Sequence, residues 1–238
     1  MNSTTMPGDD VSTRAKGRLP LTETAFWQTY GRSRYAMLFY ALLLTLVLMP
    51  AATTIGLHPL LIKLLLAVSL LAAVMPNATS HSRYILLSAV GGLIVAGFAS
   101  EHGYLPVDSG LVLALSGVIG LLAAAGTLRF TITSNSVNAE TIYAALSTYL
   151  LAGLFFGQIY WAIESFRPGS LTGPDPVTEL VATYYSFVTL ATLGYGDFLP
   201  RTDIARGVAT FEVIGGQLFL AVMVARLIGA FGTDEEAA

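Results

Sequence analysis

An apolar, aromatic run from Leu180 to Ala191 ends in Thr192-Leu193-Gly194-Tyr195-Gly196-Asp197, and a second apolar run from Asp203 to Phe231 follows. The first run is too short to cross a bilayer, which takes about 20 residues with roughly 17 as a minimum; the second is long enough. A short helix, a Gly-x-Gly turn and then a spanning helix describe a loop that enters a membrane and leaves it by the same side. Few folds accommodate that order.

The string Thr189-Leu190-Ala191-Thr192-Leu193-Gly194-Tyr195-Gly196-Asp197 resembles the selectivity-filter signature of tetrameric potassium channels. Potassium sheds its water only where backbone carbonyl oxygens replace the hydration shell in a narrow column. Aiming successive carbonyls at one axis requires normal and left-handed dihedrals in alternation, and glycine reaches the left-handed ones without steric cost. Gly194 and Gly196 alternate with Leu193 and Tyr195 as that geometry needs. The resemblance implies ion ligation by the carbonyls of Thr192, Leu193, Gly194 and Tyr195, followed by Gly196, with the Thr192 hydroxyl closing the inner end. Leu193 stands where valine is commoner. Because its carbonyl faces the ion, the change of side chain should matter little.

Composition agrees with a membrane location. Of 238 residues, 54% are hydrophobic and 11% charged, whereas soluble domains carry about a quarter charged residues. A formal charge of −3 gives no reason to expect a nucleic-acid partner. The chain has no cysteine, so it has neither a disulfide framework nor a thiolate metal site. His58, His81 and His102 are scattered at loop-like positions without the spacing of a metal site. No cofactor is expected beyond the permeant ion, and no nucleophile–base pair in the apolar runs points to an enzyme.

Read in order, residues 1–34 form a polar, basic segment with a disordered start and an interfacial helix or unstructured stretch over Thr22–Tyr30. Its length before the first apolar run is atypical of a cleaved signal peptide. Six segments of spanning length follow, at about Tyr35–Ile55, Leu57–Met75, Arg83–Ser100, Ser109–Leu128, Val137–Glu164 and Asp203–Phe231. The expected fold is therefore an all-α membrane protein with six transmembrane helices plus a re-entrant pore helix and filter loop. It divides into a four-helix scaffold over 35–129, a pore domain over 137–231 and a short tail over 232–238. Nothing in that tail, Gly232 to Ala238, has the length of a ligand-binding domain.

Basic residues set the expected orientation. With both termini cytoplasmic, Arg14, Lys16, Arg18, Arg32, Arg34, Arg83, Arg129 and Arg226 lie inside. Only Arg167, Arg201 and Arg206 lie outside, and Lys63 can snorkel from within a helix. The filter loop then opens outward, as the resemblance requires, and the location implied is a bacterial inner (plasma) membrane.

Carried over from the family, Tyr184 and Tyr185 brace the filter where many relatives have paired tryptophans. The Tyr195 hydroxyl reaches toward Tyr185 and Thr189, and Asp197 accepts a bond from Tyr184. Gly215 and Gly216 sit mid-span in the last helix, Gly216 at the family's hinge position, with close packing an equal alternative. Gln217, Leu220, Val224 and Ile228 share one helical face and are candidates to line a cavity or gate. Glu212 is an intramembrane acid, read slightly in favour of a structural role behind the filter. Arg226 is read as snorkelling to headgroups.

A ring of carbonyls needs several strands, so one filter per chain implies a homotetramer in the bilayer. Six-helix relatives often sense voltage with several arginines on the fourth helix, but Ser109–Leu128 has no basic residue and Arg129 stands alone. Steep voltage dependence takes about 3–4 charges per subunit, so it is expected to be weak or absent. The alternatives to a potassium channel are a nonselective cation channel and a potassium transporter subunit using a re-entrant loop. The paired glycines argue against the former and the single loop against the latter.

Overall fold

A computed structural model describes residues 21–55, 67, 88, 91, 92, 95, 109–134 and 136–235; side chains are described over 34–51 in the first helix and up to 230 in the last. The chain divides into two units, Met1–Arg32 and Ser33–Ala238. In chain order the described elements are α1 (Leu21–Ile55), α2 (Ser109–Thr133), α3 (Ala139–Phe166), β1 (Leu171–Thr172), α4 (Glu179–Leu190), β2 (Leu199–Pro200) and α5 (Asp203–Glu235).

Four of these helices are long and apolar enough to cross a membrane: α1, α2, α3 and α5, over Arg34–Ala51, Gly110–Thr133, Ala139–Phe166 and Asp203–Ala230. The spans expected over 57–75 and 83–100 lie outside the described residues, apart from isolated helical positions such as Ala67 and Ser88. At the N-terminal side the outcome differs from expectation. Thr22–Tyr30 is neither a separate helix nor unstructured, but part of a helix running from Leu21 to Ile55. Likewise α5 continues to Glu235, taking in the first residues of the expected tail. No proline separates those stretches from the apolar runs beside them, and the helices run through the single glycines there, Gly31 and Gly232.

The helices begin where capping chemistry places them. Asn138 caps α3, its side chain accepting from the Thr141 amide at 2.9 Å, with Glu140 in the first turn. Thr178 does the same for α4 with the Val181 amide at 3.3 Å, and Glu179 follows. Such caps satisfy amides that the helix cannot bond itself, and the acids favour the positive end of the dipole.

On α1 the buried residues Tyr35, Leu38, Leu42, Thr45 and Met49 recur at alternating spacings of three and four, a single stripe. Tyr35, Leu38 and Leu42 pack with Ala123 and Ala124 of α2 and Ala144, Leu151, Leu154 and Phe155 of α3. A second cluster, built from Phe156 and Tyr160 of α3, Ala182 and Tyr185 of α4 and Leu171 and Phe198 of the flanking loops, lies behind the Gly-x-Gly turn.

Glycine decides how near the helices come. A Cβ on Gly117 of α2 would stand 2.7 Å from Ile159 Cγ1, and one on Gly120 would overlap the Phe155 ring. On the other side of α3, a Cβ on Gly157 would stand 2.7 Å from the Thr183 Cα, and one on Gly153 would run into the Phe187 ring. Small residues one turn apart thus let α4 lie against α3 almost backbone to backbone. A valine at 157 has no flexible neighbour to displace, since the obstacle is main chain. Gly157→Val is expected to lower stability by about 1–3 kcal/mol, measured by thermal unfolding in detergent micelles. An unchanged melting temperature would mean that the two helices have room to separate.

Candidate functional site

The short helix and the turn after it form a closed excursion. Leu171 pairs with Pro200 and Thr172 with Leu199 in an antiparallel two-strand contact, so the chain entering the excursion lies beside the chain leaving it. The Arg201 amide donates to the Ser170 carbonyl at 2.8 Å, extending the seam. Glu164, near the end of α3, ties down the same loop by accepting from the Gly169 amide at 2.7 Å and the Leu171 amide at 2.9 Å. The loop therefore returns to the end of the bundle from which it left.

At the C-terminal end of α4 the backbone changes character. The Thr192 amide donates to the Thr189 carbonyl and the Leu193 amide to the Val188 carbonyl, both at 2.9 Å. Val188 also receives the Gly194 amide at 3.4 Å. Carbonyls that a helix end leaves unbonded are thus satisfied by the turn itself. Thr192 has φ +56°, Gly194 +56° and Gly196 +77°, with Leu193 and Tyr195 between them outside the left-handed region. The sequence anticipates left-handed dihedrals at the two glycines. It does not single out Thr192, the one non-glycine residue with positive φ among the described residues. An L-residue there costs about 1–2 kcal/mol, which the Val188 and Thr189 contacts offset. The amides of Thr192, Leu193 and Gly194 point back at α4.

Side chains brace this strand. The Tyr184 hydroxyl donates to Asp197 Oδ2 at 2.8 Å, the pairing anticipated in the sequence, while Asp197 Oδ1 accepts from the Phe198 amide at 3.0 Å. Tyr185 is buried and meets Tyr160 edge-on, ring centroids 4.8 Å apart. Tyr195 is different. Its ring is 66% exposed and makes no hydrogen bond to Tyr185 or Thr189 of its own chain. Gln217 of α5 donates from Nε2 to the Thr192 hydroxyl at 3.3 Å, linking the inner helix to the end of the strand.

Of the α5 candidates, Gly216 is buried, and a Cβ there would stand 2.6 Å from the Leu190 carbonyl oxygen. Close approach to the end of α4 is thus a sufficient reason for glycine at 216. Gly215 has open space, and α5 continues unbroken through both. Leu220, Val224 and Ile228 are exposed along with most of α5. Glu212 is 1% exposed. Its Oε2 accepts from the Tyr160 hydroxyl at 2.8 Å, and its Oε1 lies 2.5 Å from Ser186 Oγ, which itself contacts the Gly153 carbonyl at 2.7 Å.

Sequence reasoning missed several of these partners. Gly153 and Gly157 were legible as a small-xxx-small pair within α3 but were not singled out. Ser186, Tyr160 and Glu164 carry no local signal, because their partners lie on other elements. Arg226 is a correction. Rather than snorkelling to headgroups, its guanidinium donates to the Thr131 carbonyl and, at 2.7 Å, to the Ser134 carbonyl. Thr131 is in the last turn of α2 and Ser134 lies just past its end, where a cation meets both unbonded acceptors and the negative end of the helix dipole.

Residues 145–232, which run from within α3 through α4 and the loop into α5, match the family model described as ion channel. The chain is 34% identical over 87 residues to the inward rectifier potassium channel Kirbac3.1 of Paramagnetospirillum magnetotacticum, covering 35% of this chain and 27% of that protein. It is 30% identical over 97 residues to two-pore potassium channel 4 of Arabidopsis thaliana, covering 41% of this chain and 33% of the relative. The chain thus spans about a third or less of the length of these relatives. No solved structure gives a significant match. The apolar helices and the matched segment together support a mostly helical integral membrane protein with a segment similar to the ion channel family.

Arg226→Met keeps the aliphatic stem but removes both donations. Hydrogen bonds to charged groups contribute about 1.5–3 kcal/mol each, net of exchange with water, so faster amide exchange in the last turns of α2 is expected. Hydrogen exchange read by mass spectrometry over residues 127–137 checks this; unchanged exchange there would show that the cap carries no load.

Proposed function

We propose that four copies of this chain form a potassium-selective channel, with ions passing through a column of carbonyls from Thr192, Leu193, Gly194 and Tyr195. The observation that carries the reading is the positive φ at Thr192, Gly194 and Gly196 in strict alternation, on a strand anchored to the end of a short helix. Such a strand presents a file of carbonyl oxygens on one side, the ligand set that replaces a potassium ion's water. The α4 helix supports the same end: its C-terminus carries partial negative charge that favours a cation nearby. The names of the relatives, potassium channels in a bacterium and a plant, agree with this ion.

One chain supplies one strand, and an enclosing ring takes four. The exposed Tyr195 ring and the exposure of most of α5, including Phe211, Ile214 and Leu218, are what a subunit set beside its copies would show. In this reading Gln217, Leu220, Val224 and Ile228 face the cavity below the strand, and Tyr195 finds its hydrogen-bond partners on an adjacent copy. The two stretches outside the described residues, 57–75 and 83–100, complete six spans. Orientation with both termini in the cytoplasm is supported by the clustering of Arg34, which pairs with Glu140 at 3.2 Å, and Arg226 at one end of the bundle. Arg201 lies at the seam with Ser170 beside the strand pair, and Arg206 reaches the Pro200 carbonyl there.

The α2 helix supports a scaffold rather than a voltage sensor. It carries Arg129 alone, and it is fastened to α3 by the Thr148–Thr127 hydroxyl bond at 2.9 Å and by the Ser116–Gln158 contact at 2.6 Å. Motion through the field would break these buried contacts and move at most one charge.

The deciding experiment is planar-bilayer recording of the purified protein under opposed potassium and sodium gradients. A reversal potential at the potassium equilibrium value is expected, with a shallow conductance–voltage relation. A reversal potential near zero indicates a nonselective pore, and saturable turnover without channel current indicates a transporter. Gly194→Ala puts a Cβ on a residue at φ +56°, at a cost of about 1–2 kcal/mol per strand, and is expected to abolish potassium-selective current. Current of wild-type selectivity from that variant would exclude the carbonyl column.

A further inference from the structure

We infer that Glu212 is held as a neutral carboxylic acid that donates its own proton to Ser186, so that it ties three helices together without carrying a charge. A count of hydrogens carries this. Three short oxygen–oxygen contacts meet in the cluster: Tyr160 Oη to Glu212 Oε2 at 2.8 Å, Ser186 Oγ to Glu212 Oε1 at 2.5 Å, and Ser186 Oγ to the Gly153 carbonyl at 2.7 Å. Each needs a proton of its own, since two acceptor oxygens at such distances repel. Tyr160 and Ser186 have one hydroxyl hydrogen each. Tyr160 can supply only the first contact. Ser186 can supply one of the other two; the Gly153 carbonyl has no hydrogen and can only accept. The third proton therefore comes from Glu212 Oε1, donated to Ser186 Oγ, while Ser186 donates onward to Gly153.

Burial gives the same answer independently. Glu212 is almost wholly covered, and among the described residues it forms no ion pair with any basic side chain. The titratable side chains near it are tyrosines: Tyr149 and Tyr160 on α3 and Tyr185 on α4. A buried carboxylate without a cation is strongly disfavoured, and the group takes a proton instead. The neutral acid leaves no buried polar atom of the cluster without a partner, in keeping with the described side chains as a whole.

Position makes this proton consequential. Glu212 lies one turn before Gly216, whose backbone touches the end of α4, and Ser186 lies one turn before Leu190 on the helix that anchors the strand. The chain of bonds Tyr160–Glu212–Ser186–Gly153 starts and ends on α3, with α5 and α4 between. Glu212 is thus a positioning residue for the end of α4, acting through hydrogen bonds that an ionised side chain could not all make. The protonation itself does not rest on the channel reading.

Infrared difference spectroscopy of the full chain in lipid vesicles, wild type minus Glu212→Gln at neutral pH, tests the assignment without any need for conduction. A carboxylic-acid carbonyl band present in the wild type and lost in the variant is expected; a difference containing only carboxylate bands overturns the inference. Ser186→Ala keeps the acid but removes its acceptor, so the same band should move to higher frequency, and an unmoved band overturns Ser186 as the acceptor. In thermal unfolding, Glu212→Gln, whose amide can donate to Ser186 and accept from Tyr160, should melt near wild type. Glu212→Ala should melt several degrees lower. A Gln variant as unstable as the Ala variant would mean that the charge is required, and would sink the proposal.

Discussion

Everything at the strand depends on where α4 ends, and two close backbone approaches determine that. On one side α4 rests on α3 at Gly157, within a Cβ's reach of the Thr183 main chain; on the other α5 rests against the Leu190 carbonyl at Gly216. These contacts meet main-chain atoms rather than flexible side chains, so they hold α4 as a rigid wedge. The last carbonyls of that wedge, on Val188 and Thr189, receive the amides of Thr192, Leu193 and Gly194. A left-handed threonine is tolerable only on such a foundation. Shifting the wedge would misplace every carbonyl beyond it.

A membrane interior makes the arrangement more demanding, because an irregular backbone at that depth must be sheltered by protein or line a wet path. The excursion meets this requirement from behind. The Thr192, Leu193 and Gly194 amides return to α4, Asp197 takes Tyr184 and the Phe198 amide, and the β1–β2 seam closes the neck. The other side is open among the described residues, with Thr192 to Asp197 all exposed. On the proposed reading that uncovered side is the ion path, walled by three further strands. The exposed α5 face is then explained by the same assembly rather than needing a separate cause.

How much of this was legible in the sequence differs from feature to feature, for physical reasons. The bounds of α4, Glu179 to Leu190, could be read because a cap, an acid and a glycine turn mark them locally. Left-handed positions at 194 and 196 could be read because glycine announces them, whereas Thr192 could not, since its φ is imposed by contacts with α4. The pairing of Tyr184 with Asp197 came through resemblance, not pattern. Arg226 shows the opposite limit: a basic residue near a helix end suggests lipid headgroups, but its acceptors are carbonyls 92 and 95 residues earlier in the chain. The partners of Glu212 were illegible in the same way, being distributed over α3 and α4. The α1 start at Leu21 also lies beyond the apolar signal, which begins near Tyr35.

The Arg226 contact also constrains how the inner helix can move. Gly216 offers low bending cost in principle, but its hydrogen would have to leave the Leu190 carbonyl for α5 to swing there, disturbing the wedge. Nearer the opposite end, Arg226 holds the same helix to the last turn of α2, which is itself fastened to α3. With α5 held at residues 212–217 and again at 226, Leu220 and Val224 lie exposed between the two restraints. A gate there would open by releasing the Arg226 cap while the upper half of α5 and the strand stay in place. On the proposed channel reading, such a division would keep ion selection rigid and let access change, with no charge on α2 needed to drive it.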